Sequence, residues 1–125
     1  MSGALILIIE DNEKNLKLVR DVLRFNGYQT VEAMTAEEGI KIARLQLPSL
    51  ILMDIQLPGM DGIAALRHLR ADQLTKDIPV MAVTASATTL DREQIIEAGF
   101  NGYETKPLKI REFTEHVRSL LPVNT

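Results

Sequence analysis

Short runs of Ile, Leu and Val alternate along this chain with longer segments whose apolar residues recur at helical spacing. The short runs predict strands, and most are continuously apolar, as expected for parallel strands covered on both faces. An α/β fold with a mostly parallel sheet follows, because a helical crossover returns the chain to the same edge. The predicted strands are Leu5 to Ile9, Thr30 to Ala33, Leu50 to Met53, Val80 to Val83 and, more weakly, Gly102 to Glu104. The predicted helices begin near Glu13, Ala36, Ile63, Thr89 and Ile110.

The predicted helices carry their own boundary signals. Thr35 opens a capping-box pattern and is interpreted as a helix cap. Gly27 and Gly99 stand where a helix end favours a residue with positive φ, and the Asn101-Gly102 pair is interpreted as a helix-to-strand loop. One face of the second helix is expected to carry the apolar side chains of Ala36, Ile40, Ala43 and Leu47.

Composition and charge exclude several function classes. With 14 basic and 17 acidic residues the net charge is −3, and no basic stripe forms that would bind nucleic acid. The absence of cysteine excludes a disulfide framework and a thiolate metal site. No apolar run approaches the ~20 residues of a membrane helix, and no targeting pattern stands at the N-terminus. We expect one cytoplasmic domain over residues 1–125, with no output domain.

Polar residues follow the predicted strands at the edge where parallel strands end. Open α/β sheets bind ligands beyond this edge, so these side chains are expected to meet there. Glu10 and Asp11 follow the first strand, Asp54 the third, Thr84 the fourth and Lys106 the fifth.

The residue types at this edge predict a phosphoryl site. Three carboxylates would repel one another unless a cation lies among them, and Mg²⁺ prefers oxygen ligands together with a substrate phosphate. Lys106 supplies a further positive charge, and the Thr84 hydroxyl can hydrogen-bond an oxyanion. Asp54, expected to stand exposed at its strand tip, is the candidate nucleophile that would form an aspartyl-phosphate.

Four stretches resemble the motifs of receiver domains in two-component response regulators: I-I-E-D-N, L-M-D-I-Q-L-P-G-M-D-G, V-T-A-S-A and Y-E-T-K-P. The resemblance covers essentially the whole chain. It implies a flavodoxin-like (βα)₅ fold, in which one parallel sheet of strand order 2-1-3-4-5 lies between two layers of helices. It is closest to stand-alone regulators of the cell-division and cell-fate kind, and it extends to receivers attached to hybrid histidine kinases.

The resemblance also implies a role for each matching residue. Asp54 would accept a phosphoryl group from a phosphohistidine on a histidine kinase or a phosphotransfer protein. Mg²⁺, with Mn²⁺ as a substitute, would be held by Glu10, Asp11, Asp54 and the backbone carbonyl of Gln56. Phosphoryl oxygens would be bound by Thr84 and Lys106, with the small Ala85 keeping the approach open.

Further implied roles concern switching and the lifetime of the phosphorylated state. Tyr103 would act with Thr84 as a switch residue that remodels the face formed by the fourth helix, fifth strand and fifth helix. Gln56 and Ser86 would tune dephosphorylation, and the Lys106-Pro107 peptide bond would be cis.

Each residue also has a plainer interpretation when taken alone. Asp11 could cap the first helix, Lys106 could be a solvated loop charge, and Thr84 and Tyr103 could be ordinary strand residues. His68 and His116 lie in helical segments without a ligand partner at i+4, so we interpret them as surface or helix-face residues.

Other functions remain as alternatives. The chain could be a phosphate shuttle, the receiver of a hybrid-kinase relay or an unphosphorylated scaffold. A phosphatase resembling the haloacid dehalogenases is disfavoured because Gln56 cannot act as the general acid, and a flavodoxin-like cofactor site lacks its phosphate loop. We therefore expect a phosphoacceptor signalling protein rather than an enzyme, a monomer or weak dimer with protein partners and no membrane contact.

Overall fold

In the part of the chain that the structure describes, five strands form where the sequence has its apolar runs. The structure, a computed structural model, describes residues 3–85 and 89–121, with the backbone alone for residues 89–91. The strands are β1 (Leu5–Ile9), β2 (Gln29–Ala33), β3 (Leu50–Asp54), β4 (Val80–Thr84) and β5 (Gly102–Thr105). Sheet pairing continues further than the apolar runs do, because Asp54 pairs with Val83 and Thr84 pairs with Thr105. Asp54 and Thr84 are therefore the last residues of their strands and do not follow them.

Five helices within the described residues connect and follow these strands. They are α1 (Glu13–Phe25), α2 (Ala36–Gln46), α3 (Gly62–Ala71), α4 (Thr89–Ala98) and α5 (Ile110–Leu120). The predicted starts are confirmed, with α3 beginning one residue early. Thr35 caps α2 by accepting from the Glu38 N–H at 3.1 Å, whereas α1 is capped by Asn12 and not by Asp11. No helix in the described ranges is long and apolar enough to cross a membrane.

The end of α2 departs from its predicted apolar face. Leu47 is 52% exposed and adopts a left-handed conformation with φ 47° at the helix C-terminus. The buried face instead includes Gly39, where an added Cβ would meet the side chain of Ile9. Gly27 and Gly99 have positive φ, as predicted.

The sheet is entirely parallel, with the order β2-β1-β3-β4-β5. Alternate residues of β1 contribute to two separate apolar clusters, one on each face. One cluster contains residues of α2, α3 and α4, and the other contains residues of α1 and α5. The predicted three-layer fold and its strand order are confirmed, and the carboxyl ends of all five strands lie at one edge.

Arg70 connects α3 to the opposite edge of the sheet. Its guanidinium donates to the carbonyls of Ile78 and Lys76 at 2.7 and 3.0 Å and to Asn101 Oδ1 at 2.9 Å. Asn101 Oδ1 also accepts from the Val80 N–H at 2.9 Å, so one side chain aligns the starts of β4 and β5. Burial lowers the pKa of Arg70. These contacts hold in register the two strands that carry Thr84 and Tyr103.

Candidate functional site

Three carboxylates meet at the carboxyl edge of the sheet. Glu10 follows β1, Asp11 stands in the turn before α1, and Asp54 ends β3. Each offers an oxygen, and these oxygens lie within 4.8 Å of one another. The expectation that Asp54 is exposed is wrong: the residue is 4% exposed, because sheet pairing extends through it and Lys106 lies against it. Asp11 is the exposed member of the cluster.

Lys106 lies between the two buried carboxylates. Its Nζ is 3.0 Å from Glu10 Oε1 and 3.0 Å from Asp54 Oδ2. Burial opposes the charged ammonium, but the hydrogen bonds that it donates to both carboxylates outweigh this effect and raise the pKa of Lys106. Lys106 is therefore part of the site and not a solvated loop charge. The Lys106-Pro107 peptide bond is cis, as the resemblance implies.

Backbone donors hold the remaining oxygens of the buried pair. The Asn12 N–H donates to Glu10 Oε2 at 3.1 Å, and the Gln56 N–H donates to Asp54 Oδ1 at 2.9 Å. Burial raises the pKa of Glu10, and Asp54 adds to this increase while Lys106 and the Asn12 N–H oppose it. The sequence could not reveal these donors, because any residue other than proline carries a backbone N–H.

The donor set fits a hard divalent cation. The cluster consists of three carboxylates with one ammonium and no histidine or cysteine, so its charge is incompletely neutralised. Oxygen ligands of this kind suit Mg²⁺, which takes one or two carboxylates and retains water. Gln56 lies in the loop after β3, two residues beyond Asp54. The hydrogen bond from its backbone N–H to Asp54 holds its backbone near the cluster.

Thr84 completes the site from β4. The residue is 4% exposed, and its carbonyl accepts from the Lys106 N–H at 2.8 Å, which joins the ends of β4 and β5. Ala85 follows it and is exposed. Ser86, the predicted dephosphorylation residue, lies outside the described residues. The structure thus brings Thr84, Lys106 and Asp54 to one edge of the sheet.

Gly62 was not identified as a site residue from the sequence, although it supports Asp54. A Cβ at this position would lie 2.8 Å from Ile55 Cα and 3.0 Å from the Asp54 carbonyl oxygen. The Gly62 N–H donates to the Ile55 carbonyl at 3.0 Å, while Asp61 caps α3. The start of α3 therefore packs on the backbone of the candidate nucleophile, and a glycine directly after a capping Asp is the signal for it.

Tyr103 lies on β5 and forms a surface together with residues of α4 and α5. Tyr103 packs partly buried against the α2-α3-α4 cluster, and the Arg92 guanidinium lies 5.9 Å from its ring centroid. His116 lies half-buried on a face of α5, in line with its interpretation as a helix-face residue, and its Nδ1 lies 2.7 Å from Glu104 Oε2. The ring lies on the backbone of Gly102, where a Cβ would be 2.5 Å from His116 Nε2. A glycine inside a strand is the sequence signal for such a close approach.

The chain is similar in sequence to known proteins of one family. The family described as "Response regulator receiver domain" matches residues 6–118. The polar-differentiation response regulator DivK of Brucella ovis is 41% identical over 116 residues, which cover 93% of this chain and 94% of that protein.

Solved structures agree with this match. The receiver domain of sensor histidine kinase PA1611 from Pseudomonas aeruginosa PAO1, with a magnesium ion coordinated in its active site cleft, is 35% identical at a TM-score of 0.88. The two chains overlap over 94% of this chain and 97% of that one. A signal receiver domain of a histidine kinase from Syntrophus aciditrophicus is 32% identical at a TM-score of 0.87, covering 95% and 90%.

Proposed function

Because this chain belongs to the response regulator receiver domain family, we propose that it is a phosphorylation-dependent switch whose phosphoacceptor is Asp54. The phosphoryl donor is a phosphohistidine on a histidine kinase or a histidine phosphotransfer protein. The observation that carries the proposal is the position of Lys106 Nζ, 3.0 Å from both Glu10 and Asp54 at the carboxyl edge of the sheet. This arrangement gathers an acceptor carboxylate, further acidic ligands and a cation at one point.

The transfer itself needs little from the protein beyond positioning and charge neutralisation. An Asp54 carboxylate oxygen forms a bond to phosphorus as the phosphorus–nitrogen bond breaks, and the donor imidazole keeps that electron pair. Lys106 and the Thr84 hydroxyl contact the phosphoryl oxygens on Asp54. Glu10, Asp11, Asp54 and the Gln56 carbonyl would hold Mg²⁺, or Mn²⁺ in its place, which would supply positive charge to offset the carboxylate and the phosphoryl group.

Phosphotransfer from a panel of purified, labelled histidine kinases tests this proposal. Label is expected to pass to the wild-type chain with Mg²⁺ and to be lost on chelation or in Asp54→Asn. Asp61→Asn is the matched control, since Asp61 is exposed and Asn caps helices equally well. An Asp54→Asn chain that accepts label at the wild-type rate would overturn the proposal.

The output surface is proposed to be the face formed by α4, β5 and α5. A groove of about 400 Å³ on this face is lined in part by Arg92, Ile96, Tyr103 and His116. Tyr103 is half-buried in it, so a change of rotamer would alter the surface that a protein partner contacts. Phosphorylation would give Thr84 a new hydrogen-bond acceptor and shift the population of Tyr103 rotamers.

The switch role is tested by the NMR signals of the Tyr103 ring with Mg²⁺, before and after adding beryllium fluoride as a phosphoryl mimic. The Tyr103 signals are expected to shift, whereas those of Tyr28, which packs against the α1-α5 cluster, should change little. Tyr103→Ala should retain phosphoacceptance and weaken partner binding. A Tyr103 ring that does not respond, together with unchanged partner affinity, would contradict the switch role.

We further propose that residues 1–125 act in the cytoplasm as a single-domain messenger, monomeric or weakly dimeric. Support comes from the DivK-type relative, of which this chain covers 94%. The chain is proposed to be a phosphoacceptor without phosphatase turnover, because Gln56 stands two residues after Asp54, where the rival phosphatase needs an acid. Rapid transfer from the phosphorylated chain to a phosphotransfer protein would instead favour a relay shuttle.

A further inference from the structure

A cavity of about 100 Å³ lies between α1 and the sheet, beside the acidic site. Most of its lining is apolar. Its principal apolar residues come from β1, β3, α1 and the segment after β5: Ile8, Leu52, Leu18, Val19, Pro107 and Leu108. Leu18 is 43% exposed, so the cavity lies close to solvent along α1.

The charged groups at the polar end of the cavity already have hydrogen-bond partners. Glu10, Asp54 and Lys106 reach the lining, but the carboxylate oxygens are already engaged by the Lys106 ammonium and by backbone N–H groups. The exception is Asn15, a half-buried residue of α1 that also lines the cavity. Its side-chain amide makes no hydrogen bond within the described part of the chain. The cavity therefore has a mostly apolar lining, and the Asn15 amide is a neutral group in that lining that can hydrogen-bond a ligand.

We propose that this cavity binds a small neutral molecule that has an apolar body and a single hydroxyl or carbonyl group. The apolar body packs on Ile8 and Leu52, and the polar group bonds the Asn15 amide. An enclosed apolar cavity of about 150 Å³ accepts benzene, so a partly open one of about 100 Å³ suits a ligand of similar size whose polar end reaches the mouth. An anionic ligand is disfavoured because the Glu10 and Asp54 carboxylates stand at the polar end of the cavity and would repel it.

Occupancy of the cavity has a consequence for Lys106. Lys106 and Pro107 form part of its wall, so a bound ligand holds Lys106 against Glu10 and Asp54 and slows phosphoacceptance. This consequence rests on the proposed function, whereas binding itself does not. The two are measured separately for that reason.

Binding is tested by NMR titration of the full chain with phenol, without metal or phosphodonor. Saturable shifts are expected for the methyl groups of Ile8, Leu18 and Leu52, with benzoate binding at least about tenfold more weakly than phenol. Shifts that do not saturate, shifts centred elsewhere, or binding of benzoate as tight as that of phenol would overturn the proposal.

Two variants and a control locate the site. Asn15→Leu removes the amide and should abolish the preference for phenol over toluene, a loss of about five- to tenfold that matches one hydrogen bond. Val19→Phe fills the cavity and should abolish binding of both probes; Asn15→Leu keeps the test decisive if that variant does not fold. Leu45→Ala, at a position 83% exposed on α2, should bind like wild type. Unchanged selectivity in Asn15→Leu would contradict the assignment.

Phosphoacceptance from a small-molecule phosphodonor is then measured with and without phenol. The rate should fall in wild type at phenol concentrations that saturate the NMR shifts, and fall less in Asn15→Leu. A rate that is unaffected at saturation would refute the coupling to Lys106. If the chain accepts no phosphate even without phenol, the proposed function fails, while the binding result stands independently.

Discussion

Each buried acid of the site is held by partners from other parts of the chain. Asp54 contacts Lys106 across 52 residues of sequence, and Glu10 contacts the same ammonium as well as the backbone of Asn12. Two buried carboxylates this close to each other require a cation, because desolvation and mutual repulsion both disfavour their charged forms. Lys106 is that cation when no metal is bound.

Replacing Lys106 tests this role directly. Lys106→Met should lower the free energy of unfolding by about 1.5–3 kcal/mol in the absence of metal, because two buried carboxylates lose a charged donor. Adding Mg²⁺ should stabilise the variant more than wild type, since the ion then supplies the missing charge. Urea unfolding with and without Mg²⁺ measures both effects.

Lys109→Met is the matched control, because Lys109 is exposed. Its free energy of unfolding should change by no more than about 0.5 kcal/mol. An equal Mg²⁺-dependent gain in wild type and in Lys106→Met would contradict the assignment of Lys106 as the internal counter-cation.

Gly39 and Gly62, neither of which has a positive φ, allow two kinds of steric clash to be compared. An added Cβ would meet backbone atoms at Gly62 and side-chain atoms at Gly39. Gly62→Ala should cost about 1–3 kcal/mol of unfolding free energy, because its Cβ would meet the backbone of Ile55 and Asp54, which cannot move independently of β3. Gly39→Ala meets only the side chain of Ile9, which can change rotamer, and should cost less. Thermal unfolding compares the two variants, and Gly62→Ala should also slow phosphoacceptance. A larger loss in Gly39→Ala would refute this interpretation.

At the scale of elements, helix ends position the loops that form the site. Asn12 caps α1 with its side chain and also supplies the backbone N–H that holds Glu10. Asp61 caps α3 directly before Gly62 contacts the end of β3. Capping and site geometry are therefore coupled at the carboxyl edge, where helix N-termini and strand ends meet.

The C-terminus of α2, which lies away from the candidate site, offers a test of backbone strain at Leu47. Leu47 is left-handed and exposed, a conformation that costs an L-residue roughly 1–2 kcal/mol. Leu47→Gly should therefore raise the free energy of unfolding by up to about 1 kcal/mol, after the greater entropy of glycine in the unfolded chain is subtracted.

Leu45→Gly is the control for this substitution, since Leu45 is exposed but lies within α2. It should lose about 1 kcal/mol, because glycine is a poor helix former. Chemical denaturation distinguishes the two directions. Destabilisation of similar size in both variants would show that left-handed strain at Leu47 is not significant.

Across the whole molecule, the inner strands of the sheet are held more firmly than its two edge strands. β1, β3 and β4 are hydrogen-bonded on both sides and covered by helices on both faces, whereas β2 and β5 are edge strands. Asp54 and Thr84 end two of the inner strands, but Tyr103 lies on edge strand β5. The proposed phosphoryl site thus lies on the inner strands of the sheet, and the proposed switch residue lies on an edge strand.

Native-state hydrogen exchange should reflect this arrangement. Amides of β1, β3 and β4 are expected to exchange only through global unfolding, while those of β2 and β5 also open locally. Amide protection factors measured at increasing low denaturant concentrations would separate the two classes. Equal protection in β5 and β3 would contradict a locally mobile edge strand.

Much of the fold was predictable from local sequence pattern. Periodicity of apolar residues depends on neighbours along the chain, so it located all five strands to within one residue and all five helix starts. Because parallel strands share a carboxyl edge, the same pattern also predicted that Glu10, Asp11, Asp54, Thr84 and Lys106 would meet.

Tertiary structure alone decided how these residues meet. The burial of Asp54 and its contact with Lys106, the pairing of Glu104 with His116, and the close approach of Gly62 to β3 all join residues whose distance depends on sheet register and loop path. A local pattern reports which face a side chain occupies, but not which distant group shares that face. Sequence therefore determined the sheet edge and the residue types gathered there, whereas packing between distant segments determined their burial, their partners and the cavity beside them.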